Sequence, residues 1–339
     1  MDTLTQMTLG AGVGELILGR KVGNKALLWG AVAGLIPDLD VLAGVFMSPV
    51  DRFVFHRTVS HSILFCVVLA PLLGWLLARL HAKDKVPWLP WSRLVFWGLF
   101  THILLDCFTG YGTQVFWPFL DHRVEWNTIF VVDPLYTLPF LGCLLVLVFL
   151  NRTSRTRRIL AWTGIGLSTA YLALTVVNKL HMESVFQEAL VSQNLAHRRL
   201  MTQPSPLNNL LWRGVAETHN GYWIGYYSLL DDDRRIRFRF VPRLDRLIDD
   251  LRRDPDLVKL LHKCDGYYCL TREDGALVFN DLRFGRFQEW DDGAGGYIFA
   301  FVIETDSAPL SLTRRRPDFP VSGDLLKQFV ARVFGNKEL

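Results

Sequence analysis

The sequence predicts an α-helical transmembrane bundle followed by a small α+β soluble domain. Three observations carry this. Ser62–Ala78 and Ile159–Asn178 contain no charged residue, and each approaches the roughly 20 residues that cross a bilayer as a helix. Before about Asn178 the charges fall in short clusters between apolar runs. After it they are spread as in a soluble protein. The 339 residues suggest about two domains, and a chain that is 50% hydrophobic and 21% charged is neither disordered nor a disulfide scaffold. A net charge of +4, with no basic stripe interleaved with aromatics, argues against a nucleic-acid partner.

In chain order, Thr8–Leu18 reads as a short apolar helix containing Glu15. Ala26–Val50 is apolar apart from Asp38 and Asp40, and Ser62–Ala78 follows. Leu94–Asp106 is shorter and carries His102 and Asp106. Trp126–Leu150 is apolar apart from Asp133, and Ile159–Asn178 closes the series. The expectation is about five spans plus the short N-terminal helix. The start, MDTLTQ, has no basic n-region, which argues against a cleavable signal peptide. Basic clusters at Arg20–Lys25, Arg79–Arg93 and Arg152–Arg158 fall on one side of alternating spans, which the positive-inside rule makes cytoplasmic. The soluble half is then extracytoplasmic, although Arg52 and Arg57 depart from the rule.

Residues 179–204 read as a helical connector and 205–339 as the soluble domain, leaving 1–178 as the membrane domain. Leu210–Thr218, Tyr222–Leu230, Ile236–Val241 and Tyr297–Glu304 suit strands. Tyr267–Arg272 and Ala276–Leu282 flank a hairpin turn at Glu273-Asp274-Gly275. Leu244–His262 and Leu325–Val333 have helical periodicity. Cys264 and Cys269 allow a short-loop disulfide outside the cytoplasm; Cys66, Cys107 and Cys143 read as small buried hydrophobes.

The informative residues are ionisable groups in apolar surroundings, each of which needs a partner or a function. They are Glu15, Asp38, Asp40, His56, His61, His102, Asp106 and Asp133. Histidines with carboxylates form the ligand set of zinc, manganese or iron. His102 and Asp106, at i and i+4, project from one helix face. His56 and His61 frame HRTVSHS, with His61 at a helix start. Pro37 breaks the regular backbone and frees Asp38 and Asp40 to turn toward one centre. With the basic loops inside, these groups share one outward level. A structural Asp–Arg pair is as good a reading for Glu15 or Asp133 taken singly, and a proton or ion pathway also concentrates such residues.

The segments MDTLTQMTLGAGVGE, KVGNKALLWGAVAGLIPDLDV, HRTVSHSILF, THILLDCFTGYGTQVFWPF and VVDPLYTLPFL resemble the YdjM-like family of predicted membrane-bound metal-dependent hydrolases of bacteria. The similarity spans roughly the first 150 residues; PSPLNNLLWRGVAE and FNDLRFG resemble the C-terminal extension of longer members. The resemblance implies an inner-membrane, metal-dependent hydrolase. His56, His61, His102 and Asp106 match the family's His/Asp positions, and Asp38 and Asp40 its Pro-Asp-x-Asp element. Gln6 stands where some relatives have His, leaving one ligand fewer or a weaker oxygen donor.

The expected chemistry is hydrolysis of a lipid or lipid-linked phosphoester or amide by water on one or two divalent ions, zinc first. His61, His102 and Asp106 are the first-choice ligands, followed by Asp38 or Asp40, with His56 beside them. A carboxylate left over, Asp40 or Glu15, serves as general base or orients a ligand histidine. Arg57 either holds a phosphate or snorkels to the interface. Ser60 and Ser62 lack a GxSxG elbow, so a serine nucleophile has less support. The rival reading is a non-catalytic membrane protein, a metal-bound scaffold or an ion translocator.

Overall fold

The computed structural model describes residues 1–291, 295–304, 310–315 and 322–337. The chain divides into two compact units, Met1–Ala43 with Phe55–Val177, and Gly44–Val54 with the chain from Asn178 onward.

The first unit is helical. Its opening helix, α1 (Thr3–Val22), is capped by Asp2, whose carboxylate accepts from Thr5 N at 3.0 Å. The sequence predicts a short helix over Thr8–Leu18; the helix instead runs 20 residues. Its first turns look too polar to continue the apolar run, but Thr5, Gln6 and Thr8 face the protein interior. Gly23, at φ +61°, takes the left-handed conformation that reverses the chain into α2 (Asn24–Leu35). The two backbones touch. A Cβ on Gly30 would stand 2.2 Å from the Gly10 carbonyl oxygen, and one on Gly34 would stand 2.4 Å from that of Gln6. Such small-residue contact is how helices associate where lipid removes the hydrophobic drive.

After α2 the chain tightens into a 3₁₀ turn at Ile36–Leu39, with Pro37 inside it, before α3 (Asp40–Ala43). A second 3₁₀ turn, Val59–His61, precedes α5 (Ile63–Leu80); α4 (Pro49–Phe55) lies between the turns. Helix α6 (Trp88–Cys107) packs on α5 through buried Trp91, Leu94, Leu99 and Ile103. Then come α7 (Pro134–Leu147) and α8 (Arg155–Ser192). Val67, Val68, Leu72 and Leu76 leave one face of α5 apolar and more than half exposed, the pattern of a helix solvated by lipid.

Among the described residues, three segments are long and apolar enough to cross a membrane: Asn24–Phe46, Ile63–Leu80 and Arg155–Ser192. The apolar run Trp126–Leu150 is helical only over Pro134–Leu147. Its first residues instead pair with the end of α6, Trp126 N donating to Cys107 O at 2.7 Å, and Asp133 with Pro134 starts the helix.

The three basic clusters meet at one end of the bundle. Lys25 Nζ lies 2.6 Å from Asp84, and Arg152 donates to the Lys21 carbonyl at 2.8 Å. Just inside, Arg157 grips Glu15 with both prongs, Nε–Oε1 2.7 Å and Nη2–Oε2 2.6 Å. It also donates to Asn24 Oδ1 and Leu150 O. Removing one partner strands a buried charge. Glu15→Ala is therefore expected to destabilise the detergent-solubilised protein by about 3–5 kcal/mol, with Arg157→Met in the same chain restoring part of the loss. Thermal unfolding of the two variants measures this.

The second unit contains two antiparallel sheets. β1 (Arg199–Pro204), β2 (Leu211–Glu217), β3 (Gly221–Ser228) and β4 (Phe238–Pro242) form the first in that order. β5 (Tyr268–Glu273), β6 (Ala276–Asp281), β7 (Ala300–Glu304) and β8 (Ser311–Arg315) form the second. The expected hairpin joins β5 to β6, with Asp274 and Gly275 both at positive φ as a two-residue turn of the primed kind requires. The stretch read as a helical connector is helical to Ser192, after which Arg199–Pro204 pairs with β2 as a strand. The single helix expected over Leu244–His262 is broken: Asp245–Leu251 is 3₁₀, and α9 (Pro255–Lys263) restarts at an Asp254 cap because Pro255 has no N–H to donate. Helix α10 (Gly323–Val333) follows the Ser322 cap. Cys264 and Cys269 are free, buried thiols rather than a disulfide, and burial pushes Cys269 up to about 11.

Candidate metal centre

Four side chains from three stretches of chain converge. Asp38 comes from the 3₁₀ turn that follows α2, His61 from the turn that precedes α5, and His102 and Asp106 from one face of α6. One ligand atom from each lies within 4.8 Å of the others. His61 Nε2 stands 3.4 Å from Asp38 Oδ1, 3.3 Å from Asp106 Oδ2 and 3.2 Å from His102 Nε2. His102 Nε2 stands 3.6 Å from Asp38 Oδ1 and 3.5 Å from Asp106 Oδ2. Ligands about 2.0–2.2 Å from a tetrahedral zinc ion are separated by about 3.3–3.6 Å. The spacing fits.

The neighbours fix which way each imidazole points. His102 Nδ1 lies 2.6 Å from the Gly34 carbonyl oxygen, which can only accept, so Nδ1 carries a proton and, in the neutral ring, the Nε2 lone pair faces the cluster. Ser60 Oγ donates to Asp40 Oδ2 at 3.0 Å and therefore accepts from His61 Nδ1 at 2.9 Å. His61 likewise presents a bare Nε2. Asp106 Oδ1 accepts from Gln6 Nε2 at 2.9 Å and from the Met1 α-amino group. Its Oδ2 has no hydrogen-bond donor; Arg57 Nε is 3.0 Å away as an ion-pair contact without hydrogen-bond alignment. With both rings neutral, two imidazole lone pairs and two carboxylate oxygens face one another, a set that could hold a metal ion.

The helical region carries a recognised signature. Residues 1–182 match the model of the YdjM inner membrane protein family. The chain belongs to the YdjM family. Inner membrane protein YbcI of Escherichia coli (strain K12) is a relative, 32% identical over 136 residues that cover 36% of this chain and 74% of that protein. No solved structure matches the chain. The family and the relative are both described as inner membrane proteins, in keeping with the apolar helices.

The remaining sequence candidates of this YdjM-family chain are placed around or away from the cluster. Asp40 is not among the four. Its buried carboxylate takes His56 Nδ1 at 2.7 Å, Arg57 N at 3.1 Å and Ser60 Oγ, and so props the turn that carries His61. His56 stands on the far side of Asp40, its ring edge-on to His61, and burial holds its imidazole below the ordinary value against the pull of that carboxylate. Arg57 is buried rather than offered to a phosphate: Nη1 donates to Thr109 Oγ1 at 2.8 Å, and its guanidinium covers the Tyr111 ring. Its φ of +64° is the reversal that puts His56 and Ser60 on the same carboxylate. Gln6 reaches the site but uses its amide nitrogen on Asp106 and His102 O. Two candidates are elsewhere. Glu15 is held by Arg157, nine residues or roughly 13 Å along α1 from Gln6. Asp133 caps α7, accepting from Leu135 N and the Tyr171 hydroxyl. Sequence reasoning missed the Gly34 carbonyl and Thr109; a main-chain acceptor leaves no residue-type signal.

Proposed function

We propose that this YdjM-family protein is a membrane-embedded metal-dependent hydrolase with one zinc ion held by Asp38, His61, His102 and Asp106. The observation that carries the reading is the convergence of two imidazole nitrogens and two carboxylate oxygens within 4.8 Å of one another, three of the four residues buried. A zinc ion held by these four side chains would supply Lewis-acid chemistry, acidifying water or polarising a carbonyl or phosphoryl oxygen, once that oxygen joins them as a fifth ligand. The chain's own residues supply orientation. Gly34 O and Ser60 hold the two imidazoles in the ligand tautomer, Gln6 takes one oxygen of Asp106 so that the other faces inward, and Asp40 braces Ser60 and His56. Asp40 is engaged by His56, Arg57 N and Ser60, which favours a single ion.

A lipid or lipid-linked substrate follows from the surroundings. Asp38 is the one member of the set that is not fully buried, and Leu39, Val41 and Leu42 beside it are 45%, 52% and 62% exposed. A head-group phosphoester or amide reaches the open side at Asp38 while its acyl chains stay on apolar surface. The test is mass spectrometry of bacterial lipid extract incubated with the liposome-reconstituted protein. Metal-dependent appearance of a cleaved lipid, lost in Asp106→Asn, is expected; a zinc-loaded protein that cleaves nothing reduces the site to a scaffold.

For topology we propose about five crossings, α6 and α7 completing the three longer spans. Helix α8 starts in the basic cluster, and Arg155–Val177 is roughly 35 Å long, enough to cross. The domain from 205 onward is then extracytoplasmic. A reporter fused after Thr202 is expected to be active only outside the cytoplasm, and activity inside inverts the orientation.

A further inference from the structure

Between α6 and α7 the chain makes a compact excursion over residues 108–127, all within the first unit. Thr113 and Val124 pair across it, each amide donating to the other's carbonyl at 3.0 and 2.9 Å, and the Gln114 side-chain amide donates to Asp121. The tip, Phe116-Trp117-Pro118-Phe119-Leu120, is apolar, and the polar run Asp121-His122-Arg123 leads back from it. Among the described residues, Phe116, Phe119 and Leu120 are left exposed, Phe119 by 78%, and so is Trp126 at the base. Large apolar side chains gathered on one exposed loop mark a contact surface.

Two independent observations say what that surface meets. The first is depth. Val115, directly before the tip, accepts from the Ile63 amide at 3.0 Å. Ile63 is the first residue of α5, whose 18 apolar residues rise about 27 Å, close to the roughly 30 Å hydrocarbon core of a bilayer. On the return side, Trp126 N bonds to the carbonyl of Cys107, the last residue of α6. Both roots of the loop therefore lie where a span leaves the hydrocarbon, the level at which aromatic side chains gather. The second observation is the backbone of the tip. Trp117 N donates to Gln114 O at 3.2 Å, and Phe119 N and Leu120 N donate to Phe116 O at 2.9 and 3.2 Å. Pro118 has no N–H to satisfy. Residues 117–120 thus strand no amide hydrogen when acyl chains replace water, the condition that hydrocarbon imposes on any backbone. A loop facing water is under no such demand.

The same excursion is tied to the His/Asp cluster. Gln114 N donates to Arg57 O at 3.0 Å, Thr109 accepts from the Arg57 side chain, and Arg57 pairs with Asp106. We propose that this loop is a lipid-binding surface: Phe116, Phe119 and Leu120 insert among the acyl chains of the leaflet at that end of the bundle, which fixes the cluster at head-group depth. The proposal rests on α5 as a membrane span, and on neither metal binding nor hydrolysis.

Spin labelling of the full-length protein in vesicles of phosphatidylethanolamine and phosphatidylglycerol tests this. Phe119→Cys and, as a second probe, Leu120→Cys carry the nitroxide, each with Cys143→Ser because the other four native thiols are buried. Asp232→Cys, at an exposed position of the second unit, is the aqueous reference. Collisions with oxygen, which concentrates in acyl chains, are expected to exceed those with a water-soluble nickel chelate at 119 and 120, and the reverse at 232. The ratio should place both tip labels about 5–10 Å below the head-group boundary, as for an interfacial amphipathic segment. Nickel access at 119 and 120 equal to that at 232 puts the tip in water and overturns the proposal. Labels shielded from both reagents overturn it too, because the tip is then covered by protein, either the second unit or another copy of the chain.

Discussion

His102→Ala is expected to leave the purified protein with less than about one hundredth of the parent's zinc affinity, while its yield in the membrane fraction is unchanged. His102 supplies one of four acceptor atoms, and its Nε2 is 3.2 Å from His61 Nε2 and 3.5 Å from Asp106 Oδ2. Losing it leaves three ligands and a cavity among buried polar groups. Groups that only orient a ligand cost less, about 10–100-fold. Ser60→Ala, which lets the His61 ring choose the wrong tautomer, belongs in that smaller class. Glu15→Gln should not change metal content, because its carboxylate faces Arg157. Elemental analysis of the three variants reads the series, and equal metal in His102→Ala and the parent removes the site.

Gly30→Ala is expected to cost at least about 3 kcal/mol, far more than its one added methyl group suggests. The new Cβ would stand 2.2 Å from the Gly10 carbonyl oxygen, so α1 and α2 have to move apart along their length. That movement reaches the centre, because the same helix pair carries Gln6 and the Gly34 carbonyl that anchors His102. Stability and zinc affinity should therefore fall together. Gly142→Ala on α7 is the control: its Cβ would meet nothing within 4 Å, and the change should be neutral or stabilise by about 0.5–1 kcal/mol. Thermal melts in detergent with and without added zinc separate the two outcomes.

The His/Asp cluster was readable where spacing alone determines direction. His102 and Asp106 share a helix face by periodicity, and Pro37 marks the break that lets Asp38 turn. The sequence ranked His61 first but did not decide between Asp38 and Asp40, because that choice depends on the 3₁₀ turn at Ile36–Leu39 and on the bonds Asp40 makes to His56, Arg57 N and Ser60. Nor could it place Glu15, whose partner is 142 residues away. Helix α1 was underestimated because polarity was read as exposure, whereas Thr5, Gln6 and Thr8 are polar and buried. Strands β1 and β8 escaped for a related reason. β8 sits at a sheet edge, and its Ser-Leu-Thr-Arg-Arg sequence buries little beyond Leu312, so pairing rather than composition makes it a strand.

X-ray absorption at the zinc edge of the purified full-length protein bears most directly on the centre. Four nitrogen and oxygen neighbours at about 2.0–2.1 Å, with the outer-shell scattering of two imidazoles, are the expected spectrum. A zinc shell of water-like oxygens without imidazole scattering, or protein that retains no metal after purification, contradicts it.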